Sequence, residues 1–353
     1  MLYRTGPIRA RSLMNSVNTI EEIFNLSSKN LSIKTGLSIS QVNKLKRKEA
    51  IQKADKSVQY ILKNKINTTF ITDVDYPERL KNCIDAPLLF FSRGNLELNG
   101  DRIVSIVGTR AATHYGDTIV KNLIQSFKNQ NITVISGLAL GIDTLVHRYC
   151  VEYGIPTIAV LGHGIDRVYP ARNKSLASRM ESSGGIMTEF IPGTLPDREN
   201  FPKRNRIVAG LSDATIVVES KIKGGSLITA NLANDYNRDV FAFPGSIDLE
   251  TSRGCNKLIS DQKAHLMQTP SDFLKLMNWD QAVAQKPKQQ SIFKTLNEIQ
   301  QVIINALMKT RLTQIDKLSI STSLSIPVLN NELFSLELEG LVKSHPGNCY
   351  SMA

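Results

Sequence analysis

From Asn67 onward the chain alternates two textures. Short apolar runs at 70–71, 88–91, 103–107, 133–135, 157–161, 186–188, 214–218 and 240–243 read as strands, because a strand covered on both faces needs no polar side. Segments with helical spacing of apolar residues separate them, at 115–128, 142–153, 173–181, 201–209 and 226–236. Strand and helix in turn at this spacing predict right-handed βαβ units. The fold class is therefore α/β, with an extended Rossmann-like, doubly wound and mostly parallel sheet. Pro77 and Pro87 break the chain between the first two strands.

The flanks have another pattern. Residues 1–67 read as a small all-helical domain of the SAM or helix-hairpin-helix sort, with Thr19 and Glu22 spaced as a capping box and a helix over about 41–62. TGPI at 5–8 and TGLS at 35–38 are either phosphate-approaching hairpin corners or plain helix junctions. Residues 68–280 form the Rossmann-like domain. The polar stretch 281–290, with Pro287, reads as a linker. Residues 291–353 read as a winged helix, with a helix over 293–307, a candidate recognition helix over 327–339 and Pro346-Gly347-Asn348 as the wing turn.

Charge adds direction to this picture. The net charge is +11, and residues 1–67 hold 13 Lys and Arg against 4 Asp and Glu, a net +9. Such a balance favours polyanionic partners. No apolar stretch approaches the roughly 18 residues of a membrane span, and the first residues lack the apolar core of a signal peptide. A cytoplasmic protein with no membrane contact is expected. Cys83, Cys150, Cys255 and Cys349 are far apart and form no C-x-x-C pair, so neither a disulfide framework nor a metal site is expected. His147 lies on an apolar helix face beside Ile142 and Val146, as a buried histidine would.

Candidate chemistry concentrates where strands end. Residues 200–219, NFPKRNRIVAGLSDATIVVE, put Lys203, Arg204, Asn205 and Arg206 in one helical turn ahead of a buried strand. Arg206 has two readings, a ligand-facing cation or a structural residue paired with Asp213 or Glu219. The strand at 103–107 runs into Gly108, Thr109 and Arg110, and the next into Ser136 and Gly137. Lys223, Gly224, Gly225 and Ser226 open a further helix, whose free N–H groups suit a phosphate. None of these loops is a G-x-G-x-x-G fingerprint or a P-loop. No nucleotide cofactor is expected. Phe201 and Tyr169 are either stacking partners for bases or core residues.

SIVGTR, SGLALGID with His147, YPARN at 169–173, the 200–219 stretch, KGGSLITA and FAFPGSI, in this order over about 150 residues, resemble the DNA-processing protein A (DprA/Smf) family. YPERL and IDAP extend the match upstream. The family usually carries a helix ahead of the hairpin matching TGPI, and this chain has almost nothing there. The resemblance implies a non-enzymatic, dimeric single-stranded DNA-binding protein that protects incoming DNA and loads the RecA recombinase during natural transformation. It also implies that Arg110, Lys203, Arg204 and Arg206, with Asn205 and Gly108, line the DNA pocket. Residues 252–267 resemble the family helix used for self-association and RecA contact, through Leu258, Ile259 and Leu266.

The competing class is a phosphoribohydrolase of the LOG type, which carries a catalytic glutamate in P-G-G-x-G-T-x-x-E. Here Asn231 stands at that place, and an amide cannot shuttle the proton. The candidate recognition helix has Glu332, Glu337 and Glu339 and no Lys or Arg, leaving Asn330 and Asn331 to read bases. That composition favours protein contact over duplex reading.

Overall fold

The computed structural model describes residue 2 and residues 5–280, 296–310 and 312–353. The linker expected at 281–290 lies outside the described residues, as does the start of the helix expected from 293.

The N-terminal part is helical throughout: α1 (Pro7–Asn15), α2 (Ile20–Asn25), α3 (Ser28–Thr35), α4 (Ile39–Asn43) and α5 (Arg47–Lys63). Two expectations change here. The helix expected over 41–62 is split, because Lys46 takes a left-handed backbone (φ 51°) and restarts the helix as α5. The Thr19–Glu22 box does not close. Thr19 makes no side-chain cap, and Glu22 instead accepts from the Asn18 amide and pairs with Lys34 at 2.8 Å. A closed box sits two helices later, where Ser38 and Gln41 satisfy each other's backbone amides at the start of α4.

The central part follows as β1 (Asn67–Phe70), α6 (Glu78–Lys81), β2 (Leu89–Gly94), β3 (Arg102–Val107), α7 (His114–Ser126), β4 (Ile132–Ser136), α8 (Ile142–Tyr153), β5 (Thr157–Val160), α9 (Lys174–Met180), β6 (Gly185–Thr188), α10 (Asn200–Gly210), β7 (Ala214–Val217), α11 (Gly225–Asp235), β8 (Asp239–Ala242), α12 (Arg253–Ser260), β9 (His265–Leu266) and α13 (Pro270–Leu276). Nine strands form one sheet in the order β1-β2-β6-β5-β4-β3-β7-β8-β9. From β6 to β9 the neighbours run parallel, while β1 and β2 add an antiparallel edge. The strands expected from apolar runs are all present. β9 was not expected, since 252–267 reads as a helix; α12 stops at Ser260, and His265–Leu266 pair with Phe241–Ala242 instead.

The chain leaves β3 towards β4 on one side and returns to β7 on the other. The β3/β7 pair is thus the switch point of the sheet, where a crevice opens beyond the strand ends. Helices cover both faces. One apolar cluster joins Val107, Ile135, Ile158 and Met187 to Ile207, Val208 and Ala230, and a second joins Val104, Ile106 and Ile216 to Val120, Leu123 and Val146. Arg79, buried under the sheet's other end, pairs with Asp213 at 2.6 Å, so Asp213 is not free for Arg206.

The C-terminal part comprises α14 (Glu298–Leu307), β10 (Thr313–Gln314), α15 (Ile315–Thr322), α16 (Ile326–Leu338), β11 (Val342–His345) and β12 (Cys349–Met352). It is a winged helix whose three strands pair as β10-β12-β11, with residues 346–348 turning between the last two. That turn faces the central part. The buried Arg238 donates to the Pro346 carbonyl at 2.7 Å, and Lys317 donates to Asn82 at 2.7 Å.

Candidate nucleic-acid interface

At the switch point a cavity of about 990 Å³ opens between the ends of β3, β4 and β7 and the helices α10 and α11. Gly108, Thr109 and Arg110 line it from β3, Gly137 and Ala139 from β4, Arg204 and Asn205 from α10, and residues 220–226 from the loop into α11. Six cations and two carboxylates, Asp143 and Glu250, reach it. That excess of positive charge suits an anionic ligand.

The cations differ in kind. Arg110 is exposed, has no ion-pair partner among the described residues, and lies 5.1 Å from the centroid of the Phe201 ring. Lys223 is exposed on the loop that starts α11. Gly224 caps that helix with no side-chain acceptor, so its first N–H groups keep their partial positive charge for a ligand. Ser226, beside them, is held by Ser220 through hydroxyls 2.7 Å apart. Arg198 and Arg253 reach the rim, while Lys221 is tied to Glu250 at 2.7 Å. Nothing in the motif spacing marks Arg198, Lys221 or Arg253, which reach the site only through the path of their loops.

Arg204 forms the cavity floor. It is buried, donates to the Val160 carbonyl at 2.6 Å, and its Nε has no partner among the described residues. Burial pushes its pKa down, and the carboxylate of Asp143 pulls it back up. Asp143 is shifted up by the same burial, opposed by Arg204 and by the Ala139 amide. A side chain at Gly137 would overlap the Arg204 guanidinium, so a glycine is needed above it.

The basic turn does not act as one cluster. Successive helix residues turn by roughly 100°, which aims positions 204 and 206 about 160° apart. Arg206 therefore points away from the cavity, is buried, and pairs with Glu189 while donating to the Asp85 carbonyl. Its structural reading holds, with partners other than the expected Asp213 and Glu219. Lys203 is exposed but does not line the cavity. Ser136 is buried and spends its hydroxyl on the Ile106 carbonyl at 2.7 Å. Of the candidate residues, Gly108, Thr109, Arg110, Gly137, Arg204, Asn205, Lys223, Gly224, Gly225 and Ser226 come together at the cavity.

The aromatic pair is at the site as well. Tyr169 is 49% exposed, lies 6.3 Å from Phe201 between ring centroids, and both rings line the cavity. Asn231 does not line it. Its amide donates to the Leu227 carbonyl and its oxygen accepts from Lys263.

His147 lies buried beneath this floor. Thr157 donates its hydroxyl proton to the Val134 carbonyl, so it accepts from His147 Nδ1, and Nε2 has no partner among the described residues. Burial, then the Arg204 charge, pushes its pKa down to about 3. The folded chain thus resists protonation that the unfolded chain accepts near pH 6.5. Its contribution is complete above pH 6.5 and is lost as pH falls towards 3, with a slope of at most about 1.4 kcal/mol per pH unit. His147→Gln is expected to flatten this acid limb, measured as urea unfolding free energy between pH 7 and 4.5.

Comparisons with known proteins agree with this architecture. The family model for DNA recombination-mediator protein A matches residues 67–278, and the DprA winged-helix model matches residues 286–348. Protein Smf of Synechocystis is 33% identical over 318 residues, 80% of each chain. DNA processing protein DprA of Streptococcus pneumoniae is 44% identical over 191 residues, 54% of this chain and 67% of that one. The X-ray structure of the pneumococcal protein superposes with a TM-score of 0.64 at 35% identity, covering 76% of this chain and 97% of that one. A DprA structure from Helicobacter pylori, described for its single-stranded DNA binding mode, gives 0.55 at 25% identity, covering 61% and 96%. Among the described residues no helix is long and apolar enough to cross a membrane. With a nine-stranded Rossmann-like sheet, a winged helix and these matches along most of its length, the chain belongs to the DprA/Smf family of DNA recombination mediators.

Proposed function

We propose that this protein binds single-stranded DNA without cleaving it, and that it protects incoming strands and passes them to the RecA recombinase as a homodimer. One observation carries the binding reading: unpaired exposed cations, a bare helix N-terminus and two aromatic rings share one open cavity at the switch point. A single strand offers both phosphates and unstacked base faces. Cations tracking the one and rings under the other are what such a ligand needs. The binding mode named for the Helicobacter relative supports the same ligand class. The place of Asn231, outside the cavity and held by Leu227 and Lys263, speaks against acid–base chemistry of the LOG type.

The winged helix takes a protein-contact role in this reading. Its α16 presents Phe334 (64% exposed) and Leu338 (74%) outward with acidic neighbours, and its wing turn is held by Arg238. The expected self-association segment has Leu258 buried in the core, which leaves Leu266 as its exposed apolar residue.

Four exposed cavity cations are not tied to a carboxylate among the described residues: Arg110, Arg198, Lys223 and Arg253. With about 0.7 counterions released per contact, log affinity for oligo(dT) should fall with log salt at a slope of roughly 3. Fluorescence anisotropy with oligo(dT), a matched duplex and nucleoside monophosphates tests the reading. Preference for the single strand at that slope is expected; consumption of a monophosphate, or preference for the duplex, overturns it.

A further inference from the structure

Most of the chain's positive excess lies outside the cavity, in residues 1–67, which hold 13 Lys and Arg against four acids. Two of those acids are spent locally, Glu22 on Lys34 and Glu49 on Lys46. The second half of α5 is left with cations alone. After Asp55 come Lys56, Lys63 and Lys65, all exposed and none with an ion-pair partner among the described residues. Like charges gathered in this way repel one another in the folded chain, a cost that a polyanion laid across them removes.

This face of α5 is tied to the cavity by packing. Lys56, Tyr60 and Lys63 follow one another at helical spacing on one flank, and Tyr60 and Ile61 pack against the apolar cluster of Ile165, Ala177 and Met180. Leu138 belongs to the same cluster and Val168 packs on it. Their chain neighbours Gly137, Ala139 and Tyr169 line the cavity, so one apolar bed runs from the cavity rim to the end of α5. Arg172 and Lys174 sit on the segment joining Val168 to Leu176, which also packs on that bed. Both are exposed, neither has an ion-pair partner among the described residues, and residues 167–180 contain no acid. We infer that a single strand leaves the cavity past Tyr169 and continues over Arg172 and Lys174 onto the Lys56–Lys63 flank of α5. The N-terminal helical part is then a second half of the strand site, reading phosphates and not bases. The inference rests on the proposed strand binding in the cavity.

Anisotropy with oligo(dT) of about 6 and about 20 nucleotides tests it on the full chain. The short strand, of a length the cavity alone can serve, keeps the salt slope near 3; four further contacts should add roughly 3 for the long one. Lys56→Ala with Lys63→Ala should lower the long-strand slope by about 1.4 and, at about 0.1 M salt, its affinity by at least about tenfold, with the short strand held within about threefold. Arg172→Ala with Lys174→Ala should do the same. Lys29→Ala with Lys44→Ala removes equal charge from the corner of α3 and α4 at the start of α5, where Ser28 meets Asn43 and Arg47, and should change neither strand. An equal loss in that control overturns the path, as does a matched duplex that loses more than the strand. A wild type that binds the short strand but gains nothing from length fails at the path alone. A wild type that does not bind the short strand fails at the cavity, and the path falls with the functional reading.

Discussion

Arg206→Ala is expected to destabilise the folded chain by about 3–5 kcal/mol, the cost of leaving one member of a buried ion pair alone. The arginine lies in the basic turn of α10, yet its guanidinium pairs with Glu189 and donates to the Asp85 carbonyl, away from the cavity. The Glu189 side chain is largely though not fully buried, and that partial burial pushes its pKa up against the pull of Arg206. Without Arg206 the carboxylate can stay in the fold only by taking a proton. The deficit should therefore be largest at alkaline pH and shrink as pH falls, the sign expected of a raised carboxyl pKa. Urea midpoints at pH 8 and pH 5.5 measure this. Arg206→Met combined with Glu189→Leu should recover most of the loss, because an apolar pair of similar volume suits a buried site. A loss under about 1 kcal/mol at pH 8 would return Arg206 to the ligand-facing set.

The parallel core was legible because buried parallel strands are nearly continuous apolar runs, and residues 103–107, 157–161 and 214–218 hold no charged residue and only one hydroxyl each. The cavity was legible for a related reason. Glycines and polar residues at the ends of β3 and β4, and before α11, mark where backbone meets a ligand. Side-chain direction was not. A count of cations in residues 203–206 sees three charges in one turn, whereas the helix sends them to an exposed surface, a cavity floor and a buried pair. The partners that settle Arg206 are 17 and 121 residues away, so no local pattern announces them. β9 escaped notice because a two-residue strand has no period. Arg198 and Arg253 come to the rim from loops whose course depends on the folded sheet.

The second large effect belongs to the exposed cations. Arg110 and Lys223 both line the cavity, one after β3 and one before α11, and neither has an ion-pair partner among the described residues. A hydrogen bond from a charged donor contributes about 1.5–3 kcal/mol, so losing two should weaken strand binding by at least about 100-fold. Because neither side chain holds the fold together, the unfolding midpoint should not move by more than about 0.5 kcal/mol equivalent. This separates the exposed cations from Arg204 and Arg206, whose loss would reach binding through the fold.

The most direct test is a salt series of oligo(dT) binding for wild type and for Arg110→Ala with Lys223→Ala. The account predicts a slope near 3 for wild type, a slope near 1.5 for the double variant, and affinity down by about 100-fold with unfolding unchanged. A double variant that binds within about threefold of wild type at an unaltered slope would place the strand elsewhere on the protein.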